Sequence, residues 1–216
     1  MSKTLRDVTI SASDSWPDRR QFNVRTRFLT TLFLDGLPKC LFPFGKIIIS
    51  LEPATPKLEF EPMLNVLRLN MEFDFDKFLA KKKEKQTEML FNILSLGLRI
   101  SFVHFGADMQ PLEVALGYVQ ERKFINQGYL KKKAESPDKK KYAKIFFRFT
   151  EESIELSFHI FQKPGQQSIR EIFAATIPPH EVYFYPAIGE FVWSADGNIT
   201  LFSRTRDKKI VQHAGI

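Results

Sequence analysis

The stretch KIFFRFTEESIELSFHIF, residues 144–161, decides the fold class. Both of its halves alternate in polarity with a period of two, which is typical of half-buried strands. The polar residues 150–153 separate the halves, so the stretch predicts a β-hairpin. One side of its strands is expected to face inward: Ile145, Phe147, Phe149, Ile154, Leu156, Phe158 and Ile160. The opposite side of the second strand carries Glu155, Ser157 and His159.

A lysine-rich tract precedes this hairpin. Residues 131–144 contain seven lysines and two acidic residues, a net charge of +5. Ser136-Pro137-Asp138 is a turn signal inside the tract. Residues 130–142 are therefore predicted to form a flexible basic loop.

Other strands are predicted on both sides of the chain's centre. Alternating or β-branched patterns indicate strands at residues 5–13, 22–28, 46–52, 66–75, 167–178, 191–194 and 199–203. Residues 181–186 are grouped with the C-terminal strands, and Asp196-Gly197 predicts a type I′ turn between the last two. Three prolines in residues 52–62 indicate an irregular connection.

Two helices are predicted in the middle of the chain. Apolar residues recur at three- and four-residue steps over residues 76–104, with Asp76 at the N-cap and Gly106 near the end. A shorter helix is predicted at residues 111–124, with Pro111 in its first turn. Segregated strands and helices predict an α+β fold: a mostly antiparallel sheet from N- and C-terminal strands, with one long and one shorter central helix. Residues 1–216 are expected to form one domain.

Composition indicates a folded protein of the reducing cytoplasm. The 216 residues are 44% hydrophobic and include 22 phenylalanines, enough for a substantial core. A single cysteine, Cys40, excludes an intrachain disulfide framework. The N-terminal residues lack the apolar core of a secretory signal, and no apolar run is long enough to span a membrane.

No strong catalytic or cofactor motif is present. The sequence has no GxG or GxxxxGK pattern for phosphate binding and no GxSxG nucleophile elbow. No cofactor is therefore expected.

Isolated histidines and carboxylates offer weaker candidates. His104, His159, His180 and His213 lack the spacing of a zinc site, so packing or turn roles are the simpler interpretation. Glu72, Asp74 and Asp76 could converge on Mg²⁺ if they share a strand face, but a solvated face followed by a helix cap explains them as well. Three acid-x-Lys matches occur, about as many as chance provides.

Charge is the remaining signal. The net charge is +7, and basic residues concentrate in segments 1–27, 77–85, 131–144 and 204–209. The candidate partner-binding residues are the lysines of two of these segments: Lys81, Lys82, Lys85, Lys131, Lys132, Lys133, Lys139, Lys140 and Lys141.

These observations favour a non-catalytic protein-binding module, with another protein of acidic surface as its partner. An immunity or inhibitor protein that occludes the active site of a toxin or enzyme has this character. The alternative is a nucleic-acid-associated protein that uses segments 81–85 and 131–144 as phosphate contacts. A metal-dependent enzyme using Glu72, Asp74 and His159 or His180 is the third hypothesis.

Overall fold

A computed structural model describes residues 3–14, 16–53, 58–165 and 167–214. Its helices and strands confirm the α+β class, and most strand pairs are antiparallel. The chain divides into two compact units, Met1–Ile125 and Asn126–Ile216, and each is described by itself. The single domain expected from the sequence stays a prediction.

The first unit contains a mixed sheet and the longer helices. Its elements are β1 (Lys3–Thr4), β2 (Asp7–Ala12), α1 (Arg19–Gly36), β3 (Leu41–Phe42), β4 (Lys46–Glu52), β5 (Glu59–Met63), β6 (Val66–Glu72), α2 (Phe75–Leu79), α3 (Lys83–His104) and α4 (Gln110–Glu121). Strand order is β2-β4-β6-β5, with β2, β4 and β6 parallel and β5 antiparallel to β6. A separate short pair joins β1 to β3. Parallel neighbours need a long crossover, which α1 supplies between β2 and β4.

The strand predicted at residues 22–28 is wrong, because these residues lie within α1. The buried Phe22, Thr26, Leu29 and Phe33 follow one another at steps of four, three and four, the spacing of one helix face. Arg27, which a strand over these residues would place on the polar side, is buried, and its guanidinium donates to the Val8 carbonyl at 3.2 Å. The strand prediction assumed that the polar residues of the alternating pattern are exposed. The burial of Arg27 shows that this assumption does not hold here.

The long helix predicted at residues 76–104 is two helices, α2 and α3. Asp74, not Asp76, caps α2 by accepting from the Lys77 amide at 2.8 Å. The buried Gln86 side chain donates to the Lys81 carbonyl at 2.9 Å, which holds the break between the helices. The predicted end near Gly106 is confirmed, since Gly106 has a φ of +60°. The shorter helix is confirmed as α4, which ends three residues earlier than expected.

The irregular connection predicted at residues 52–62 is wrong over its last part, where β5 begins. Residues 54–57 of that connection lie outside the described residues. Because β5 pairs with β6 along five residues, from Glu59↔Asn70 to Met63↔Val66, Pro62 occupies an edge strand. An edge is where a strand tolerates proline.

The second unit is built from antiparallel strands and one helix. Its elements are β7 (Asn126–Glu135), β8 (Lys141–Phe149), β9 (Ile154–Gln162), β10 (Ser168–Ile177), α5 (Glu181–Ala187), β11 (Phe191–Trp193), β12 (Asn198–Phe202) and β13 (Lys209–His213). One sheet has the order β10-β9-β8-β7 and the other β11-β12-β13. Residues 181–186, grouped with the strands from sequence, are helical instead.

The hairpin predicted at residues 144–161 is confirmed as β8 and β9, with Phe149 opposite Ile154. The inward side of β9 is buried as expected, and Phe158 contacts Phe191 of β11 with 5.2 Å between ring centroids. The pairing of residues 191–193 with 199–201 is also confirmed. Its turn is not type I′, because that turn needs two successive positive φ angles and Gly197 has one (+81°) while Asp196 does not.

The flexible basic loop predicted at residues 130–142 is wrong. β7 runs to Glu135 and β8 starts at Lys141, so the lysines flank a tight turn. Ser136 accepts from the Lys141 amide at 2.9 Å and donates to Asp138 at 2.7 Å, which closes the turn. β7 is an edge strand of its sheet. Lysines are a common means of keeping an edge strand from pairing with other chains, which explains a strand with a loop-like composition.

Glycine substitutions test the packing of the two units. We expect Gly189→Ala to lower the free energy of unfolding by about 2–3 kcal/mol, because its Cβ would overlap the Ser203 backbone carbonyl. Gly117→Ala in α4 is the control: nothing lies within 4 Å of its Cβ position, so helix propensity should stabilise the protein by about 0.5–1 kcal/mol. Urea denaturation measures both, and equal effects would contradict the packing described for Gly189.

Candidate functional site

The nine candidate lysines fall into two groups in different units. Lys81 and Lys82 lie between α2 and α3, while Lys85 lies in the first turn of α3, 2.6 Å from Glu88. Lys131, Lys132 and Lys133 belong to β7, and Lys139, Lys140 and Lys141 close the turn into β8. Each group of lysines is therefore considered as a separate surface of its own unit.

Several lysines of the second group already have partners within the unit. The Lys132 ammonium donates to the Gly189 carbonyl. Lys133 and Lys163 both reach Glu135, at 3.3 and 2.9 Å. Hydrogen bonds from these two ammonium groups hold the pKa of Glu135 below its usual value, so the carboxylate stays charged. The net charge of +5 already counts Glu135, so these contacts fix the positions of Lys132 and Lys133 but leave the segment strongly positive.

Strand pairing collects residues from β7, β8, β9 and β10 on one side of the sheet, here named the aromatic–lysine face. The register places Tyr129 opposite Phe146, Lys144 opposite His159, and Tyr142 opposite Phe161. Residues that face each other on neighbouring strands have their side chains on the same side of the sheet. The aromatic–lysine face is defined by eleven of these residues: Tyr129, Lys133, Glu135, Tyr142, Lys144, Phe146, Ser157, His159, Phe161, Glu171 and Phe173. Tyr129 is 45% exposed and Phe173 60% exposed, which leaves large aromatic surface open to solvent.

The rings of this face form a continuous packed row. Tyr142 stacks on Phe161 with 4.9 Å between centroids and 8° between planes. Tyr129 meets Phe161 edge-on at 5.8 Å, and Phe146 stacks on the His159 imidazole at 4.9 Å. Such pairs prefer particular relative orientations, so the rings of this face pack against one another as one cluster.

Lys144 lies over this row. Its ammonium nitrogen is 5.8 Å from the Tyr129 centroid, 5.9 Å from Tyr142 and 5.8 Å from Phe161. Each distance is within the range of a cation–π interaction. Sequence reading did not single out Lys144, because the rings that surround it come from three strands.

A short polar chain runs beside the rings. The Tyr129 hydroxyl and His159 Nδ1 are 2.9 Å apart, and His159 Nε2 is 3.5 Å from Glu171. Ser157 donates to the same carboxylate at 3.0 Å. Burial raises the pKa of the Tyr129 phenol, and the charge of Glu171 raises it further. The Tyr129 hydroxyl orients the imidazole, while the buried Nε2 of His159 points toward Glu171 and has no hydrogen-bond partner among the described residues.

The second unit also contains an apolar groove outside this face. It has a volume of about 650 Å³ and lies between the end of β10, α5 and the β12–β13 hairpin. Ile177, Val182, Tyr183 and Leu201 give it apolar walls, and Asp207 lies at its rim. Hydrogen bonds from Ser203 and Thr205 lower the pKa of Asp207, so this carboxylate stays ionised. None of the nine candidate lysines lines this groove.

The metal hypothesis gains no support from the geometry. Asp74 is committed to capping α2. Across residues 3–14, 16–53, 58–165 and 167–214, no group of three or more His, Cys, Asp or Glu side chains is arranged to hold a metal ion.

The remaining single candidates have structural roles. His104 stacks on Phe60 at 4.1 Å, and His180 caps α5 by accepting from the Val182 amide at 3.1 Å. The His213 ring lies next to Asn198 at 3.3 Å. Burial raises the pKa of the Cys40 thiol and nearby Asp108 raises it further, which opposes a reactive thiolate. None of the described helices is long and apolar enough to cross a bilayer.

Comparison of the chain with protein-family models, with curated proteins and with solved structures gives no match. Function is therefore argued from the surfaces described above.

Titration of Tyr129 tests the polar chain. Because its folded-state pKa is raised above 10.0, we expect the phenol to ionise later than in the unfolded chain. Its contribution to stability is then present below pH 10.0 and lost as the pH rises through the folded-state value. The difference in 295 nm absorbance between wild type and Tyr129→Phe isolates this group.

Glu171→Gln supplies the matched control for that titration. Removing the neighbouring charge should move the ionisation of Tyr129 downward while leaving its burial unchanged. A Tyr129 that titrates at or below pH 10.0 in the wild type would contradict the described environment.

Proposed function

We propose that this protein is a non-catalytic binding protein, that its partner is another protein, and that the aromatic–lysine face is the binding surface. The observation that carries the proposal is the combination of exposed rings with charges that are paired inside the face. Tyr129 and Phe173 supply exposed aromatic area. Aromatic residues are enriched in protein interfaces and supply many of their strongest contacts.

The charges of the face favour a protein over a polyanion. Glu135 pairs with both Lys133 and Lys163, and Glu171 adds a second carboxylate beside the rings. Binding along a phosphate backbone relies on cations that can displace counterions, and carboxylates repel phosphates. A protein surface of mixed charge can complement both signs, which gives specificity and excludes wrong partners.

Nucleic acid is the second candidate, because one observation favours it. In the sequence, Tyr142 is the single ring of residues 131–144, but strand pairing sets Tyr129, Tyr142 and Phe146 next to Lys144 on an open antiparallel sheet. Sheets with exposed rings and basic residues are stacking platforms for single strands. The exposed rings support nucleic-acid binding, whereas the negative charges of Glu135 and Glu171 on the same face disfavour it.

The finer form of the proposal is inhibition, as in an immunity protein that neutralises a toxin or an enzyme. An open face of packed rings suits this role because it can cover a partner's active site without a conformational change of its own. It also suits the absence of a strong catalytic motif in the sequence. Once the partner is known, a measurement of its activity with and without this protein tests the inhibitor proposal directly.

Capture from a lysate of the native host tests the proposed function. We expect immobilised wild-type protein to retain a specific protein, and the double variant Tyr129→Ser/Phe173→Ser to lose it, because the variant removes the exposed rings. Val103→Ser is the matched control, since Val103 is 71% exposed in α3 and lies in the other unit. Circular dichroism checks that all variants fold.

Salt dependence separates the two candidates. Retention of the protein at about 0.3 M salt supports the proposal, because surface charges are largely screened there. Recovery of nucleic acid alone, with an affinity that falls steeply as salt rises, would replace it with the second candidate.

A further inference from the structure

We infer that Lys144 is the anchor of the aromatic–lysine face and that it binds a carboxylate on an acidic segment of the partner protein. The inference rests on the proposed function and adds to it a central residue and a ligand chemistry. It starts from the difference between Lys144 and the other lysines around it.

Among the residues that the structure describes, no carboxylate lies within ion-pair distance of the Lys144 ammonium group, whereas the neighbouring Lys133 is paired with Glu135. Lys133 and Lys163 share Glu135. Within the described part of the chain, the groups around the Lys144 ammonium nitrogen are the rings of Tyr129, Tyr142 and Phe161 and not carboxylates. A ring face attracts an ammonium group but leaves its charge unneutralised, so Lys144 can still form a full ion pair.

The three rings also orient the ammonium group before a partner arrives. Tyr142 and Phe161 are stacked, and the Tyr129 hydroxyl is held by His159. A lysine that is already held over packed rings loses less conformational freedom on binding than a fully exposed one. The rings occupy one side of the ammonium group, and its remaining N–H donors can reach a carboxylate from the other side.

The surroundings of Lys144 favour a carboxylate of a protein over a phosphate. Residues 126–216 contain fourteen Lys and Arg against ten Asp and Glu, a net charge of +4 that suits an acidic partner. Glu135 and Glu171 lie on the same face and would repel a chain of phosphates more than a single carboxylate. The exposed ring of Phe173 can receive an apolar side chain of the same segment. The occupant is therefore an acidic protein segment with an apolar residue close to its carboxylate.

Two labelled probes test the inference: a peptide of alternating glutamate and phenylalanine, and an oligothymidylate of similar length. Fluorescence anisotropy measures the affinity of each for wild type, Lys144→Gln and Lys139→Gln. We expect Lys144→Gln to weaken peptide binding about tenfold, the effect of losing one charged hydrogen bond. Lys139→Gln is matched in charge change and lies in the turn, so it should change the affinity less than about twofold.

A second variant separates the ion pair from the packing. Lys144→Arg keeps the positive charge and can lie over the same rings, so it should retain most of the peptide affinity. Circular dichroism of both Lys144 variants verifies the fold. Loss of binding in the arginine variant together with an unfolded spectrum would show a structural role and overturn the inference.

Other outcomes overturn the inference in distinguishable ways. Equal effects of Lys144→Gln and Lys139→Gln, or no binding of the peptide by wild type, exclude Lys144 as a carboxylate anchor. Tighter and Lys144-dependent binding of oligothymidylate assigns the site to nucleic acid. If the lysate experiment yields a protein that Lys144→Gln still retains, the proposed function stands and the anchor fails. If the peptide result holds but no protein is captured, the proposed function fails instead.

Discussion

The antiparallel pairing of β7 with β8 is the constraint on which the candidate interface depends. Ser136 and Asp138 close the turn between these strands, and the register then places Tyr129 beside Phe146 and Lys133 beside Lys144. β9 continues the same register and brings His159 and Phe161 to the same side. Every ring contact of the aromatic–lysine face follows from these pairings, because side chains two residues apart on a strand share a side.

The contacts that the lysines of this region make within the second unit determine which of their charges can bind a partner. In the sequence, residues 131–144 form a block of +5. In the folded unit, Lys132 is bound to a backbone carbonyl, Lys133 is paired with Glu135, and Lys144 lies over rings. The folded unit keeps the net positive charge of this block but distributes it over the turn and the strands, and Lys144 is placed among aromatic side chains. This distribution favours selective recognition of a carboxylate over general attraction of phosphates.

The fold could be predicted from sequence where a local pattern agrees with its tertiary environment. The β8–β9 hairpin, β4 and the end of α3 were of this kind, since polarity, turn residues and burial agree there. The predictions that failed depended on distant partners. The strand prediction at 22–28 took Arg27 as a surface residue, but β2 supplies a carbonyl that lets it be buried. The lysines of β7 have the composition of a loop, and only their pairing with β8 makes them a strand.

The sequence by itself determined the α+β class, the inward side of the hairpin and the surplus of lysine, because each depends on composition or on a short repeating pattern. It could not say which lysines lie beside carboxylates and which lie beside rings. Only the tertiary structure decided that Tyr129, Lys144 and Phe161 meet, since they belong to three strands joined by register. A binding surface made from several strands has no local signature, because its residues become neighbours only when backbone hydrogen bonds set the strands side by side.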